Sequence, residues 1–210
     1  RLLKILEEIR RQLPWVTRVG VYANAKSLKM KSAEELAELR RLGLGIAYMG
    51  LESGDDATLK AVNKGADSAL QIEMGCKARA AGIKLSLTVL LGLAGPERSE
   101  IHARETGRVL SAIDPEYVGA LSLMLIPGTP MYADWRAGRF TELSPLELLR
   151  ELRTLLAHTE QSQGLFHANH ASNYLPIRAR MPKDKAATLD LIDRALAGEV
   201  ALKPEWMRAL

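Results

Sequence analysis

Glu52 is the residue in this sequence whose position most directly indicates ligand chemistry. It follows a predominantly apolar run over residues 46–51, and Gly54 allows the chain to turn sharply after it. A carboxylate at the end of a strand can accept two hydrogen bonds from the neighbouring hydroxyls of a ribose. The same position also suits a carboxylate that caps the next helix or pairs with a lysine. Glu52 taken alone leaves these roles open.

Gly92 and Gly95 follow a second apolar run, over residues 83–91. Such a run is typical of a strand that is buried on both faces. Without side chains, the two glycines either admit a flat ligand against the backbone or make a tight turn. Because their spacing lacks the three glycines of a dinucleotide-binding loop, the pair alone does not identify a ligand.

The elements that must position these residues alternate between strands and helices. This alternation implies parallel β-α-β units with right-handed crossovers, whose ligands bind at the carboxyl ends of the strands. Glu52, Gly92 and Asn24 stand at three such ends. Both a doubly wound sheet and part of a (β/α) barrel fit this order. We predict strands over residues 19–24, 46–51, 83–91 and 117–126, and helices over 2–13, 32–43, 55–63, 68–81, 97–113, 144–161 and 182–197.

Three stretches, in order along the chain, resemble motifs of the radical S-adenosylmethionine (radical SAM) superfamily. Residues 50–65 (GLESGDDATLKAVNKG) resemble the segment at the family's fourth strand, and residues 92–95 (GLAG) resemble the glycine turn of its fifth strand. Residues 114–132 resemble the sixth strand and its exit loop. The resemblance implies a partial (β/α) barrel of about four parallel strands, the family's third to sixth, with flanking helices over residues 1–161. Residues 162–210 are then a helical C-terminal extension that packs on the barrel.

The resemblance also implies a cofactor and the residues that bind it. In this family a [4Fe–4S] cluster cleaves SAM, and the resulting 5′-deoxyadenosyl radical abstracts hydrogen from a substrate. Carried over by position, Glu52 binds the ribose hydroxyls with Ser53 beside it, and Lys64 reaches the methionyl carboxylate. Lys64 lacks the two-pronged grip of the arginine that many relatives have there. The other implied contacts are Thr88 with the ribose, Gly92 and Leu93 with the adenine, and Asn24 with SAM or the substrate. No residue is assigned a catalytic role.

The cysteines that hold the cluster in this family are absent from the sequence. The family uses a CxxxCxxC loop after its first strand, whereas this sequence contains one cysteine, Cys76. A disulfide and a multi-cysteine metal site are therefore excluded, and we assign no metal ligands. The order of elements begins after the family's cluster loop and second-strand glycine motif. We therefore expect a fragment of a longer enzyme, inactive alone, in preference to a degenerate relative.

Polar residues in the tail suggest two further roles. His167 and His170 have a spacing that could chelate a metal on a helix, but no third ligand stands nearby in the sequence, and we do not predict a site. We interpret residues 169–176 as a loop over the barrel mouth in which Asn173 serves turnover more than stability. An Asx-rich turn is the alternative.

A radical SAM oxidoreductase acting on a small molecule is the function that we expect of the parent enzyme. The alternatives are a tRNA- or protein-modifying member of the superfamily and a noncatalytic protein that binds an adenosyl nucleotide. An ordinary barrel enzyme such as an aldolase is disfavoured. No lysine inside a strand is placed to form a Schiff base, and no cluster of histidines and acids follows the strands.

Charge and hydropathy limit the kinds of partner that we expect for the chain. The net charge of +4 could suit an anionic substrate or RNA, but the basic residues are scattered, which is typical of a solvated surface. No apolar run approaches the roughly 18 residues that cross a bilayer, so we expect a cytoplasmic protein without a membrane partner. Four parallel strands leave apolar edges unpaired, and we therefore expect self-association.

Overall fold

Six strands form one sheet in which every strand lies beside its neighbours in the sequence. The structure is a computed structural model that describes residues 1–209. The strands are β1 (Val19–Ala23), β2 (Leu44–Glu52), β3 (Lys84–Leu91), β4 (Tyr117–Ser122), β5 (Gly164–His167) and β6 (Arg178–Met181). The helices are α1 (Leu2–Gln12), α2 (Ala25–Lys29), α3 (Ala33–Arg41), α4 (Asp56–Ala61), α5 (Ser68–Ala80), α6 (Gly95–Ile113), α7 (Pro130–Arg136), α8 (Pro145–Ala157) and α9 (Lys185–Leu196), with a short 3-10 turn at Glu205–Met207.

The order and direction of the strands identify the architecture. β1 to β5 run parallel, and β6 runs antiparallel to β5. A doubly wound sheet reverses its strand order at a switch point, whereas sequential parallel neighbours are the arrangement of a (β/α) barrel. The predicted partial α/β barrel is therefore confirmed.

β5 and β6 are strands that the sequence did not predict, and both lie within the expected extension, residues 162–210. Each has only four residues, and the sequence RARM of β6 has little of the apolar character that marks a strand. Val118 of β4 pairs with Phe166 of β5, so the sheet continues past residue 161. The extension also contains α9, which packs against α8. Its division from the barrel as a separate domain stays a prediction.

Local signals start the longer helices where the sequence predicted them. Ser32 accepts a hydrogen bond from the backbone N–H of Glu35, and Ser144 accepts one from that of Glu147, while each glutamate reaches back to its cap. These are capping boxes, which satisfy free N–H groups at a helix start. The short helices α2 and α7 lie in segments where the sequence predicted no helix. No helix within residues 1–209 combines the length and the hydropathy needed to cross a membrane.

The two faces of the sheet differ in their cover. Leu85, Leu87 and Val89 are fully buried on the side of β3 where α5 and α8 pack. The alternate residues Ser86 and Thr88 are partly exposed on the other side, which we call the open face. The prediction that this strand is buried on both faces was therefore wrong, because residues 1–209 leave the open face accessible.

The pairing of the strands places residues of the open face in rows across the sheet. In one row Tyr22 of β1 lies beside Tyr48 of β2, with ring centroids 5.6 Å apart. The next row lies closer to the carboxyl ends of the parallel strands, where barrel ligands bind. It consists of Gly50, Thr88, Gly119, His167 and Arg178.

Candidate functional site

Glu52 lies at a distortion at the end of β2. The register with β3 shifts between Gly50 and Glu52. The backbone of Glu52 has a φ of 63°, in the left-handed region, which costs an L-residue roughly 1–2 kcal/mol. Backbone strain of this kind clusters at ligand-binding sites. Here it accompanies a carboxylate that lies over Gly50.

Lys64 Nζ lies 3.1 Å from Glu52 Oε1, so the structure brings together the two charged residues that the sequence predicted to bind SAM. The two side chains are 21% and 27% exposed, respectively, which leaves both groups accessible to a ligand. A Cβ on Gly50 would lie 2.2 Å from Glu52 Oε1 and 3.0 Å from Lys64 Nζ. A side chain at position 50 would therefore displace the ends of both side chains, so Gly50 makes room for the pair, a role that the sequence did not predict.

A turn after α4 presents Lys64. Asn63 and Gly65 on either side of it have positive φ angles of 53° and 74°. The Lys64 N–H donates to the carbonyl of Leu59 at 2.9 Å, which satisfies one of the free carbonyls at the helix end. A Cβ on Gly65 would lie 2.5 Å from Nζ of Lys26 in α2. A second ammonium group that the sequence did not predict therefore lies beside this turn.

Ser53 points into the protein. It is completely buried, and its Oγ accepts a hydrogen bond from the Asp55 N–H at 3.0 Å. The same Oγ lies 2.8 Å from Nδ1 of His102 in α6. This environment suits an anchor for the loop after β2 more than a group that faces a ligand.

Asp55 fixes the start of α4, the helix that leads to Lys64. Its Oδ2 accepts hydrogen bonds from the backbone N–H of Thr58 at 3.1 Å and from the Thr58 hydroxyl at 2.6 Å. Arg98 of α6 donates to both carboxylate oxygens, at 2.8 and 2.9 Å. The Arg98 guanidinium lowers the pKa of Asp55 to about 2. An ionised carboxylate thus ties α4 to α6.

Gly92 makes the turn after β3 with a φ of 82°. Its N–H donates to Glu151 Oε1 of α8 at 2.6 Å, and a Cβ at this position would lie 3.0 Å from Leu148 Cδ2. The glycine therefore makes room for α8, on the side where a side chain would point. Leu93, which follows it, lines a cavity on the open side of the turn.

A buried set of polar groups connects the loop after β2 with the turn after β3. The side chains of His102 and Glu151 have no exposed surface, and Nε2 of the histidine lies 3.5 Å from Oε1 of the glutamate. Ser53 contacts the other ring nitrogen, and Ser99 donates to Glu151 Oε2 at 2.5 Å. Burial lowers the pKa of His102 to about 4 and raises that of Glu151 to about 7. Both groups therefore favour their uncharged forms.

The sequence did not predict a role for His102 or Glu151, although a signal for the second was present. Glu151 stands among the buried leucines of α8, next to Leu152 and three residues after Leu148. A charged residue within an apolar stripe indicates a buried partner. The partner itself lies on another helix, so no local pattern identifies it.

An apolar cavity of about 350 Å³ opens at the carboxyl ends of β3 and β4. Leu93 lines it, and so does Val62, two residues before Lys64. Apolar walls with a few polar groups at the rim suit a flat ring such as a nucleobase. The other walls include Leu90, Leu121, Leu123, Leu125, Ile126 and Met131.

Thr88 and Asn24, the other residues predicted to contact SAM or the substrate, lie in different environments. Thr88 is partly exposed on the open face, directly across from Gly50 and hence close to the charged pair above it. Asn24 begins α2, where its side-chain oxygen accepts the Ser27 N–H at 2.9 Å. The structure thus brings Thr88 to the pair and uses the Asn24 oxygen as a helix cap.

Polar residues of the tail fasten a loop to β4. Asn173 is 3% exposed; its Oδ1 accepts from the Ser122 hydroxyl, and its Nδ2 donates to the carbonyl of Ala120, both at 2.8 Å. The backbone N–H of Ser122 donates to Ser172 Oγ at 3.1 Å. These contacts favour a structural role for Asn173, contrary to the expectation that it serves turnover more than stability.

Within residues 1–209, no group of three or more His, Cys, Asp or Glu side chains is placed to hold a metal ion. Cys76, on α5, is exposed. Nδ1 of His170 lies 3.0 Å from the hydroxyl of Ser172. Iron–sulfur clusters are held by several cysteine thiolates, so this part of the chain does not fit one.

Comparisons with known proteins identify the fold. No family model matches the sequence, and no curated protein matches it. Elp3 from the archaeon Methanocaldococcus infernus aligns with 87% of this chain and 42% of its own, with a TM-score of 0.58 and 15% identity. Coproporphyrinogen III oxidase (HemN) from Escherichia coli, a radical SAM enzyme, aligns with 73% of this chain and 36% of its own, with a TM-score of 0.56 and 16% identity.

Methylornithine synthase (PylB) has a TM-score of 0.52 and 16% identity, over 77% of this chain and 44% of its own. The chain thus spans less than half the length of each of these three structures. At such low identity these similarities show a shared fold.

Proposed function

We propose that this chain, which has the fold of part of a radical SAM barrel, supplies the SAM-binding part of a radical SAM oxidoreductase. The observation that carries the proposal is that the Glu52–Lys64 pair and the apolar cavity both lie at the carboxyl ends of the parallel strands. The carboxylate suits the ribose hydroxyls, the ammonium group suits the methionyl carboxylate, and the cavity suits the adenine.

When SAM binds, groups of SAM can replace Lys64 as the partner of Glu52 and Glu52 as the partner of Lys64. In the structure Lys64 and Glu52 satisfy each other at 3.1 Å. Ribose hydroxyls would replace the ammonium group as hydrogen-bond donors to Glu52, and the methionyl carboxylate would replace Glu52 as the partner of Lys64. Because each charged group keeps a hydrogen-bond partner on binding, the exchange avoids the cost of an unsatisfied, partly buried ion.

A [4Fe–4S] cluster would supply the electron that cleaves SAM, and residues 1–209 lack the thiolates to hold it. We therefore propose that the cluster ligands belong to polypeptide outside this sequence and that the chain alone does not cleave SAM. Anaerobic incubation with iron and sulfide should leave the chain without the visible absorbance of a cluster. A stable cluster in this chain would contradict the proposal.

Calorimetric titration with S-adenosylhomocysteine tests the adenosyl site without a cluster. Glu52→Gln should weaken binding by about tenfold or more, because a hydrogen bond to a charged group contributes roughly 1.5–3 kcal/mol. Glu73→Gln is the matched control, since this exposed glutamate of α5 makes the same charge change away from the site. It should leave the affinity unchanged.

Titration with adenosine separates the two charges of the pair. Adenosine has the ribose but lacks the methionyl carboxylate, so Lys64→Gln should weaken binding of S-adenosylhomocysteine and leave that of adenosine unchanged. Glu52→Gln should weaken both. Equal binding of both ligands by wild type and Glu52→Gln would exclude the proposed site.

A noncatalytic protein that binds an adenosyl nucleotide is the second candidate, favoured by the single cysteine of the sequence. Both candidates predict binding that depends on Glu52. They differ in the coding sequence upstream of Arg1, where a CxxxCxxC motif would favour the enzyme. A complete upstream sequence without this motif would favour the binding protein.

A further inference from the structure

The charged strand residues of the open face are mainly basic. The pairing of the strands places Arg178 and Arg180 of β6 on this face, and Lys84 at the amino end of β3. Glu52, at the end of β2, has its carboxylate on this face, but it stands beyond the register shift and is paired with Lys64. A surface on which one sign of charge predominates attracts ligands of the opposite sign.

Arg178 is held in place without being neutralised. With its amide oxygen turned toward the guanidinium, Asn169 accepts hydrogen bonds from Nε and Nη2 at 2.9 and 3.1 Å. Within the described part of the chain, Arg178 forms no ion pair. One edge of the guanidinium is thus fixed by a neutral group, and the Nη1 side remains for a ligand.

His167 lies directly across from Arg178 on the neighbouring strand. Partial burial and the charge of Arg178 lower the pKa of this histidine. The imidazole is therefore neutral at pH 7, and one of its ring nitrogens can donate a hydrogen bond. A guanidinium and an imidazole side by side match the several acceptor oxygens of a carboxylate or phosphate.

Small residues leave space between Arg178 and the candidate SAM site. The row from Arg178 through His167 continues to Gly119 and Thr88. A Cβ on Gly119 would meet nothing closer than Leu121 Cδ1 at 3.9 Å. Three strand spacings separate Thr88 from Arg178, which is roughly 14 Å along the sheet. A small molecule can therefore reach from Arg178 toward the adenosyl end.

We propose that Arg178 and His167 form a subsite for a carboxylate or phosphate group of a small-molecule substrate. This inference rests on the proposed function, because it places the substrate on the face that also carries the SAM site. A fixed guanidinium gives the planar, two-pronged contact that such groups favour. RNA would need a longer series of phosphate contacts than one anchored arginine provides.

Titration with inorganic phosphate and with malonate tests the subsite and separates the two anions. Arg178→Gln should weaken binding of the preferred anion by roughly tenfold or more, since it removes a charged hydrogen-bond pair. Arg178→Lys should bind more tightly than Arg178→Gln but more weakly than wild type. It keeps the positive charge but lacks the two-pronged N–H contact of the guanidinium. Arg150→Gln makes the same charge change at an exposed residue of α8 and should match wild type.

The imidazole signals of His167 in NMR spectra give a second measurement. Binding of the anion should raise the pKa of His167 in wild type and leave it unchanged in Arg178→Gln. The inference is overturned if Arg178→Gln binds both anions as wild type does. It is also overturned if a short single-stranded RNA requires Arg178 while neither small anion shifts His167.

The outcomes for this subsite and for the proposed function are distinguishable. Glu52→Gln should leave phosphate and malonate binding unchanged. Binding of S-adenosylhomocysteine without binding of either anion contradicts the subsite alone. Anion binding that depends on Arg178, without binding of S-adenosylhomocysteine, supports the subsite and contradicts the proposed function.

Discussion

Two pairs of ionisable side chains have different tasks in this site. Glu52 and Lys64 are partly exposed and can each exchange the other for a ligand group. The side chains of His102 and Glu151 have no exposed surface, and they connect the loop after β2 with the turn after β3. Because a buried pair cannot meet a ligand, its effect is expected on stability and on the position of those loops.

The buried pair should shape the pH dependence of stability. Burial raises the pKa of Glu151 from 4.5 to about 7, so its contribution to stability falls as the pH rises through this range. The pKa of His102 is lowered from 6.5 to about 4, so its contribution grows as the pH rises from 4 to 6.5. Between pH 4.5 and 6.5 the two slopes cancel, because folding moves one proton from the histidine to the glutamate.

Glu151→Gln should remove the part of the pH dependence of stability that comes from Glu151. The free energy of unfolding of the variant, relative to wild type, should rise by about 3 kcal/mol between pH 4.5 and 7, since one pKa unit is equivalent to about 1.36 kcal/mol. Urea unfolding at several pH values measures this difference. His102→Asn is the reciprocal control, whose relative stability should fall between pH 4 and 6.5. Profiles of both variants that run parallel to wild type would exclude this proton exchange.

Several site residues could be predicted from the sequence and others could not. Glu52 and Lys64 stand within one continuous motif, so their chemistry was visible before the fold was known. His102, Glu151 and Arg178 belong to separate helices and strands. Their roles depend on partners that only folding brings within hydrogen-bond distance, and no local pattern contains that information.

α4 acts as the support that carries Lys64 to Glu52. It has six residues and is held at its start by Asp55, which also binds Arg98 of α6. A helix this short is not stable alone, so its position depends on these contacts. The geometry of the charged pair is therefore expected to depend on Asp55.

Asp55→Ala should lower the free energy of unfolding by about 2–3 kcal/mol, because it removes a helix cap and leaves Arg98 without a partner. Asp67→Ala is the matched control, since Asp67 caps α5 through the Leu70 N–H at 2.8 Å and is exposed. That variant should lose only about 1 kcal/mol. Asp55→Ala alone should also weaken binding of S-adenosylhomocysteine. Equal losses in urea unfolding for the two variants would contradict a role for Arg98.

On the scale of the whole molecule, the sheet has two outer strands. Within residues 1–209, β1 has β2 as its one neighbour, and β6 has β5. β6 is four residues long and contains two arginines, which are features that discourage pairing with another chain. β1 presents Tyr22, which is 90% exposed, and is the edge at which we expect self-association.

Tyr22→Lys should reduce self-association, because a charge on an edge strand opposes pairing with another sheet. Sedimentation velocity should detect association of wild type as its concentration rises, and the variant should need roughly tenfold more protein for the same degree of association. Trp206→Lys replaces an aromatic side chain that is 82% exposed in the C-terminal 3-10 turn, and should behave as wild type. A wild-type chain that stays monomeric at all concentrations would contradict the prediction.

The sequence alone indicated the parallel β-α-β units of this protein and the two residues of the charged pair. Alternating apolar runs and capped helices specify parallel β-α-β units, and one continuous motif contains Glu52 and Lys64, because these signals are local along the chain. The tertiary structure decided that Gly50 makes room for the pair, that His102 and Glu151 join two loops, and that Arg178 faces the same surface as Thr88. These features depend on contacts between residues far apart in sequence, which exist only once the strands are in register.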